Sequence, residues 1–258
     1  GALLFKTEAA GGSIDERMRI DSSGNVGIGV TPEDWNLGGA LQIGRTSITG
    51  QADAAGGNLS YNTYYNSGWK YKDSLATSQL AITNGKFTFK VAPSGTADSA
   101  ISWNTAMTIN NAGIVTKPYQ PAFSVYKSIA QNNIPTATDT LITWGTEVYD
   151  VGSNFASNTF TAPVTGKYFL NTGIRVDSMD AVHYYNFYIN TSNRRYMDIH
   201  DYSRLTADPT YWSFSMTALV DMDAGDTATV GIYQASGATQ TDIGQDVSRS
   251  FFHGYLLG

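Results

Sequence analysis

Catalysis needs a nucleophile, an acid–base pair or a set of metal ligands, and this sequence supplies few of them. It has three histidines, His183, His200 and His253, and no cysteine. The absence of cysteine removes a thiol nucleophile, a disulfide framework and a cysteine-based zinc site together. His253 sits in an aromatic closing segment, and His183 precedes an aromatic run with no Ser or Asp spaced to pair with it. G-x-S-x-G, H-E-x-x-H, phosphate-loop and dinucleotide fingerprints do not occur. The reading therefore assigns no catalytic residue, no resident metal and no cofactor.

The densest polar and aromatic cluster is Arg194-Arg195-Tyr196-Met197-Asp198-Ile199-His200-Asp201-Tyr202-Ser203-Arg204. Three readings of it stand, in this order. A loop of paired Arg and Asp at the surface contributes little energy. A sugar-binding surface would use the flat faces of Tyr184, Tyr188, Tyr196, Tyr202, Tyr211 and Trp212, with Asp, Asn and Arg bonding hydroxyls. A divalent cation could be held by Asp198, His200 and Asp201, but the Asp-x-Asp-x-Asp-Gly spacing is absent. Trp212 also begins an alternating face with Phe214, Met216, Ala218 and Val220, which would place it in a core.

These side chains need a β scaffold, and the composition fits one. Charged residues make up only 15%, against 26 glycines and 16 tyrosines, and windows that favour helix are scarce. A net charge of −6 with no long basic run argues against a nucleic-acid partner. No run of 18 apolar residues occurs. The chain opens mid-pattern at Gly1-Ala2-Leu3-Leu4-Phe5, which reads as a fragment of something longer.

Residues 155–177 organise the C-terminal half. Pro163 ends a first strand because it has no N–H for a ladder, and Val164-Thr165-Gly166 turns. Tyr168, Leu170, Thr172, Ile174 and Val176 then alternate with Phe169, Asn171, Gly173, Arg175 and Asp177. The run F-T-A-P-V-T-G-K-Y-F resembles the corner in the globular head of complement's first component and, more distantly, in tumour necrosis factor. Ala122-Phe123-Ser124-Val125, Met222-Asp223-Ala224-Gly225-Asp226 and the segment from Phe251 to Leu257 follow that family's order of opening strand, late turn and closing strand. The resemblance implies a jelly-roll sandwich assembled as a tight homotrimer. Tyr168, Phe251, His253 and Tyr255 are assigned to its interface.

In the N-terminal half, Met18-Arg19-Ile20-Asp21-Ser22-Ser23-Gly24-Asn25-Val26 aligns with Met107-Thr108-Ile109-Asn110-Asn111-Ala112-Gly113-Ile114-Val115, an internal strand-turn-strand repeat. Thr83-Asn84-Gly85-Lys86 reads as a tight hairpin. The fourteen residues from Glu16 to Gly29, E-R-M-R-I-D-S-S-G-N-V-G-I-G, resemble a phrase of bacteriophage and prophage tail fibres. The expected organisation is all-β: a fibre-shaft segment over 1–36, a small β intermediate domain over 37–118, and a jelly-roll head over 119–258. Thr116-Lys117-Pro118-Tyr119-Gln120-Pro121 would link the last two.

The resemblance implies the distal part of a tail fibre in the virion, acting outside the cell on a bacterial surface glycan or outer-membrane receptor. Other tail proteins would be met through a preceding part of the chain. The receptor-contacting residues are expected to be Arg194, Tyr196, Asp198, His200, Asp201, Tyr202, Arg204 and Tyr211, on loops between Asn190 and Trp212. A tailspike that depolymerises surface polysaccharide is the alternative. A secreted cytokine-like ligand is a third reading, which the fibre phrase opposes.

Overall fold

The computed structural model describes residues 1–8, 10–50, 56–181, 184–238 and 240–258. Every regular element among them is a β-strand. The chain forms two compact units, Gly1–Tyr119 and Gln120–Gly258.

The first unit contains β1 (Leu3–Glu8), β2 (Ile14–Ile20), β3 (Val26–Ile28), β4 (Ala40–Ile43), β5 (Thr46–Gly50), β6 (Gly56–Tyr61), β7 (Thr63–Tyr65), β8 (Trp69–Tyr71), β9 (Thr77–Thr83), β10 (Lys86–Ala92), β11 (Asn104–Ile109) and β12 (Val115–Thr116). All but β7 and β8 join one ten-stranded sheet in the order β1-β2-β3-β4-β5-β6-β9-β10-β11-β12. Its single parallel pair, β3 with β4, bridges residue 36, so strands from 1–36 and 37–118 share this sheet. β7 and β8 make a separate hairpin. Asn84 and Gly85 both take positive φ and tie β9 to β10, as the Asn-Gly signal requires.

The internal repeat is longer in space than in sequence. In each copy an Asx side chain caps the turn: Asp21 Oδ1 accepts the Ser23 and Asn25 N–H groups, and Asn110 Oδ1 accepts those of Ala112 and Ile114. Gly24 and Gly113 hold φ +84° and +80°, a region glycine enters without steric cost. The preceding strand pairs match too. Phe5 faces Met18 and Lys6 faces Glu16, bulging Arg17 out; Phe89 faces Met107 and Lys90 faces Thr105, bulging Ala106 out. The repeat is thus a three-stranded unit with its own β-bulge, present at both ends of the sheet.

Cross-strand partners share a face, so the register sorts this sheet into two sides. One row reads Leu41, Ile48, Leu59, Leu80, Phe89 and Met107. The flanking rows on that side hold Ile43, Tyr61 and Val91, and Ile82, Phe87 and Ile109. The other side carries Gln42, Ser47, Ser60 and Gln79 in one row and Thr49, Asn58 and Thr88 in the next. Trp35 lies on this polar side, its indole N–H donating to Gln42 Oε1 at 3.2 Å. Around it Tyr64, Tyr65 and Trp69 pack edge-on. Gln42, Ser47, Thr49, Ser60, Gln79 and Thr88 are buried, whereas Ile43, Ile48, Leu59 and Phe87 are exposed.

The second unit is a sandwich built from β13 (Ala122–Tyr126), β14 (Thr140–Leu141), β15 (Thr146–Val151), β16 (Phe155–Ala156), β17 (Thr159–Thr161), β18 (Gly166–Asp177), β19 (Tyr184–Thr191), β20 (Arg195–Asp201), β21 (Tyr211–Met222), β22 (Thr227–Gln234), β23 (Asp242–Ile243) and β24 (Phe251–Leu256). One sheet runs β15-β13-β24-β18-β21, with β23 joined to β18. The other runs β16-β17-β22-β19-β20, with β14 joined to β22. All these pairs are antiparallel, and the opening and closing strands lie side by side, which is jelly-roll connectivity. The core between the sheets stacks Phe123 on Phe160 at 4.6 Å and on Phe155 at 5.1 Å, with Phe252 edge-on at 4.9 Å.

Two sequence expectations change here. The first strand of the corner is a small hairpin: Ser157 and Asn158 both take positive φ between β16 and β17. Tyr168, expected at a subunit interface, is fully buried inside the sandwich, its hydroxyl donating to the Val164 carbonyl at 2.7 Å. It belongs to the inward set of β18 with Leu170, Ile174 and Val176, so it has no surface to offer a partner. Phe251, His253 and Tyr255 do lie on the outer face of β24. There Phe251 stacks on His253 at 4.6 Å, and Tyr255 meets Phe169 at 5.4 Å. Asn171 Nδ2 stands 3.0 Å from His253 Nε2.

Lys127 follows β13 and is fully buried. Its Nζ donates to the Thr143 carbonyl at 2.7 Å, to Thr143 Oγ1 at 3.2 Å and to Gln131 Oε1 at 3.3 Å. All three acceptors are neutral. Burial pulls its pKa down to about 8 from an ordinary 10.5. Because the folded value is lowered, the unfolded chain binds more protons between these two values, and stability rises with pH across that window. The penalty below pH 8 is on the order of 3 kcal/mol. Lys127→Met should abolish most of the rise in stability between about pH 8 and 10, read by chemical denaturation. An unchanged rise in the variant would show that Lys127 is not its source.

Candidate functional site

The stretch expected to be a receptor-binding loop is largely a strand. β20 pairs with β19 at the edge of its sheet, Tyr196 opposite Ile189, Asp198 opposite Phe187 and His200 opposite Tyr185. Those partners are core residues, so Tyr196, Asp198 and His200 share the inward side of the edge, while Arg195, Met197, Ile199 and Asp201 face out. The strand period therefore divides the expected set between two faces. It also separates Asp201 from Asp198 and His200, so the three do not converge on one point. Among the described residues no group of three or more potential ligands gathers. His183 lies outside the described residues.

Two of the expected contacts brace the fold. Tyr202 packs its ring against Trp212 at 5.1 Å, His200 at 6.1 Å and Phe214 at 6.2 Å. Tyr196 is half-buried against the core beneath the Arg194 guanidinium, 5.7 Å from its ring centre. Arg204 is exposed in the segment between β20 and β21.

Tyr211, the remaining member, lies in an open cleft of about 440 Å³ lined by Arg175, Tyr211, Trp212, Ser213 and Arg249. β21 delivers its first three residues there, paired with the last three of β18: Tyr211 with Asp177, Trp212 with Val176, Ser213 with Arg175. Trp212 does continue the inward face of Phe214, as its position in the alternation implies. It sits beyond the end of the core, however, and stays 38% exposed against Tyr202. Tyr211 is 64% exposed, with the Arg175 guanidinium 5.3 Å from its ring centre.

The guanidinium is fixed in place. Arg175 donates from Nε and Nη2 to the two oxygens of Asp177, both at 2.8 Å, and from Nη1 to Asp246 Oδ2 at 2.9 Å. Arg249 Nη1 donates to the same Asp246 oxygen at 2.8 Å. A guanidinium has five N–H groups, so Arg175 keeps two beyond its bonds to these carboxylates. Burial works to raise the Asp246 carboxyl, but bonds from Arg249, the Ser248 N–H and Arg175 outweigh it and hold Asp246 below the usual carboxylate range. Gly244 lies against the Arg175–Asp177 pair. A Cβ there would fall 2.4 Å from Arg175 Nη2, so no larger residue fits without moving the guanidinium.

The cleft thus sets the exposed Tyr211 ring against a fixed donor, with Trp212 and Ser213 in the same lining. Flat apolar faces next to directional donors suit a sugar ring, whose C–H faces are apolar and whose hydroxyls are not. Arg175, Ser213, Asp246 and Arg249 were absent from the sequence-based set. Arg175 could be read only as the outward member of an alternating strand. Nothing in the sequence signals that residues 246–249 fold beside it.

No family model matches the chain, and no curated protein matches it. Among solved structures, it is similar to the globular domain of zebrafish complement 1qA protein, with 15% identity, 54% of this chain and 98% of the other covered, and a TM-score of 0.37. It is also similar to murine APRIL, with 14% identity, 54% and 99% covered, and a TM-score of 0.40. At such scores the sandwich rests on its own strand order and register.

Asp246 sets the acid stability of this end of the unit. With a folded pKa below its ordinary 3.8, its contribution is complete well above that value and is lost as pH falls through the folded one. Asp246→Asn should cost about 1.5–3 kcal/mol at pH 7, the range for hydrogen bonds to a charged group. It should also flatten the decline in melting temperature below pH 4. A variant that melts like the parent at both pH 7 and pH 3 would contradict this role.

Proposed function

We propose that this chain is the distal, receptor-binding part of a bacteriophage tail fibre. It works in the virion tail as a homotrimer, outside the cell, and takes a glycan of the bacterial surface in the cleft at Tyr211 and Trp212. The observation that carries the reading is that cleft: an exposed Tyr211 ring against a guanidinium whose orientation two carboxylates fix, with the partly exposed Trp212 in the same lining. An outer-membrane protein receptor and other tail proteins complete the expected partners.

The fibre assignment is supported by the E-R-M-R-I-D phrase, whose residues have definite local roles. Asp21 caps the turn and Gly24 supplies its positive φ. Gly27 leaves room for the returning chain, since a Cβ there would lie 2.2 Å from the Val30 carbonyl. The homotrimer is supported by the outer face of β24, where Phe251, His253 and Tyr255 form an aromatic band. Three copies of a weak sugar site around one axis raise avidity where receptors are dense.

Binding is favoured over depolymerisation by the electrostatics of the cleft. A glycosidase acid needs a raised pKa, whereas Asp246 is held low and Asp177 is bound bidentately to Arg175.

Tyr211→Ala with Trp212→Ala, in the full chain, should weaken binding to purified host surface polysaccharide about tenfold or more, equivalent to about 1.4 kcal/mol. The melting transition should stay within a few degrees of the parent. Binding at the parent level would remove the cleft from the reading. Polysaccharide shortened on incubation with the parent chain would replace the binder by the depolymerase.

A further inference from the structure

The ten-stranded sheet of the first unit has its polarity inverted. Ile48 is 54% exposed and Leu59 49%, while their strand neighbours Ser47 and Ser60 on the opposite side are 1% and 3% exposed. The same holds from β4 to β10, with Ile43 and Phe87 on the exposed side and Gln42 and Thr88 on the buried one. In water an antiparallel sheet with one covered face turns its apolar side inward. Here the covered face is the polar one.

We infer that the apolar face of this sheet is where copies of this chain associate, each covering the others. Three observations select a copy of the same chain as the occupant. First, the rows through Leu59, Tyr61 and Ile82 contain no Lys, Arg, Asp or Glu, the charged residues Arg19 and Lys90 falling on the other side. Those rows have no charge pattern with which to select a foreign protein, the Asp15–Arg17 pair lying beyond them at the rim beside Thr7, and two such sets of rows meet without burying an ion. Second, the face carries the same three-stranded unit at both ends, Phe5 and Met18 at one and Phe89 and Met107 at the other. A surface with matching ends suits closed cyclic assembly, in which equivalent elements meet about an axis. Third, its size fits. Strands about 4.8 Å apart, with side-chain rows about 7 Å apart, give ten strands and three rows about 1,000 Å², enough for one partner's share of about 800 Å² in a standard stable interface. A groove of about 390 Å³ lined by Leu59, Tyr61, Leu80, Phe89 and Val91, with Lys90 also contributing to its wall, gives an incoming side chain a seat on this face.

The inference deepens the homotrimer reading by placing an association face in the first unit. It is independent of the sugar cleft. The chain has no cysteine, so single thiols report locally. Ile48→Cys and Leu59→Cys place one on the apolar face, and Lys86→Cys places a control at an exposed position on the opposite side. In the native full chain the thiols at positions 48 and 59 should react with a soluble maleimide at least tenfold more slowly than the control, and light scattering should give a multiple of 27.8 kDa. Urea should equalise the three rates. A monomer mass for the unsubstituted chain at micromolar concentration would overturn the inference and the homotrimer together. Thiols at 48 and 59 as reactive as the control within a multimer would overturn this face alone, leaving assembly to the head, whatever the fate of the sugar cleft.

Discussion

Between β17 and β18 the chain leaves one sheet for the other within residues 162–165, and the rest of the sandwich is hung on that crossing. Pro163 lacks a donor and cannot extend either ladder. The backbone groups around it are satisfied by the turn at residues 223–226: Ala162 N–H donates to the Asp226 carbonyl and Gly225 N–H to the Ala162 carbonyl, both at 2.8 Å. Thr165 Oγ1 accepts the Ala224 N–H at 3.1 Å. From within, the Tyr168 hydroxyl holds the Val164 carbonyl. Two motifs sixty residues apart in the chain, roughly the span from corner to turn, are therefore one hydrogen-bonded object. It fixes where β18 starts, and hence which of its residues face inward.

That phase is transmitted along the twelve residues of β18 to the cleft at its far end. Leu170, Ile174 and Val176 are buried, so Arg175 and Asp177 must emerge on the outer face. Pairing with β21 brings Tyr211 and Ser213 beside them on that face, with Trp212 at the rim of the inner one. A guanidinium held by Asp177 and Asp246 loses little further freedom when a ligand arrives, which is the advantage of a preorganised site. The long strand pair acts as a ruler between corner and cleft.

The two units use the same periodicity with different outcomes. In the second, each sheet turns its apolar rows toward the other and the sandwich closes on itself around Phe123, Phe160 and Phe252. In the first, hydrogen-bonding side chains meet the Trp35 and Tyr64 cluster, and the apolar rows look outward. Buried polar side chains are tolerated where they find partners, as Gln42 does with Trp35 and with the Glu33 N–H. An apolar row facing water has no such compensation within one chain.

The sequence determined what is local. Asn84-Gly85, Gly24 and Gly113 specify turns because few other residues accept positive φ. Pro163 ends a strand, and alternation in β18 and β21 sorts residues into two faces. Composition and turn spacing were enough to make the chain all-β, and the ordered motifs were enough to place the opening and closing strands. Tertiary structure decided what alternation leaves open. A period of two identifies two sides but not which one is covered, so the polar interior of the first sheet and the burial of Tyr168 were invisible. The run from Arg194 to Arg204 reads as loop because its polar residues also suit turns. Pairing with β19 supplies the ladder that makes it a strand and splits its side chains between two faces. Arg249 reaches Arg175 only through the pairing of β24 and β23 with β18, and contacts of that separation are set by the packing of the whole unit.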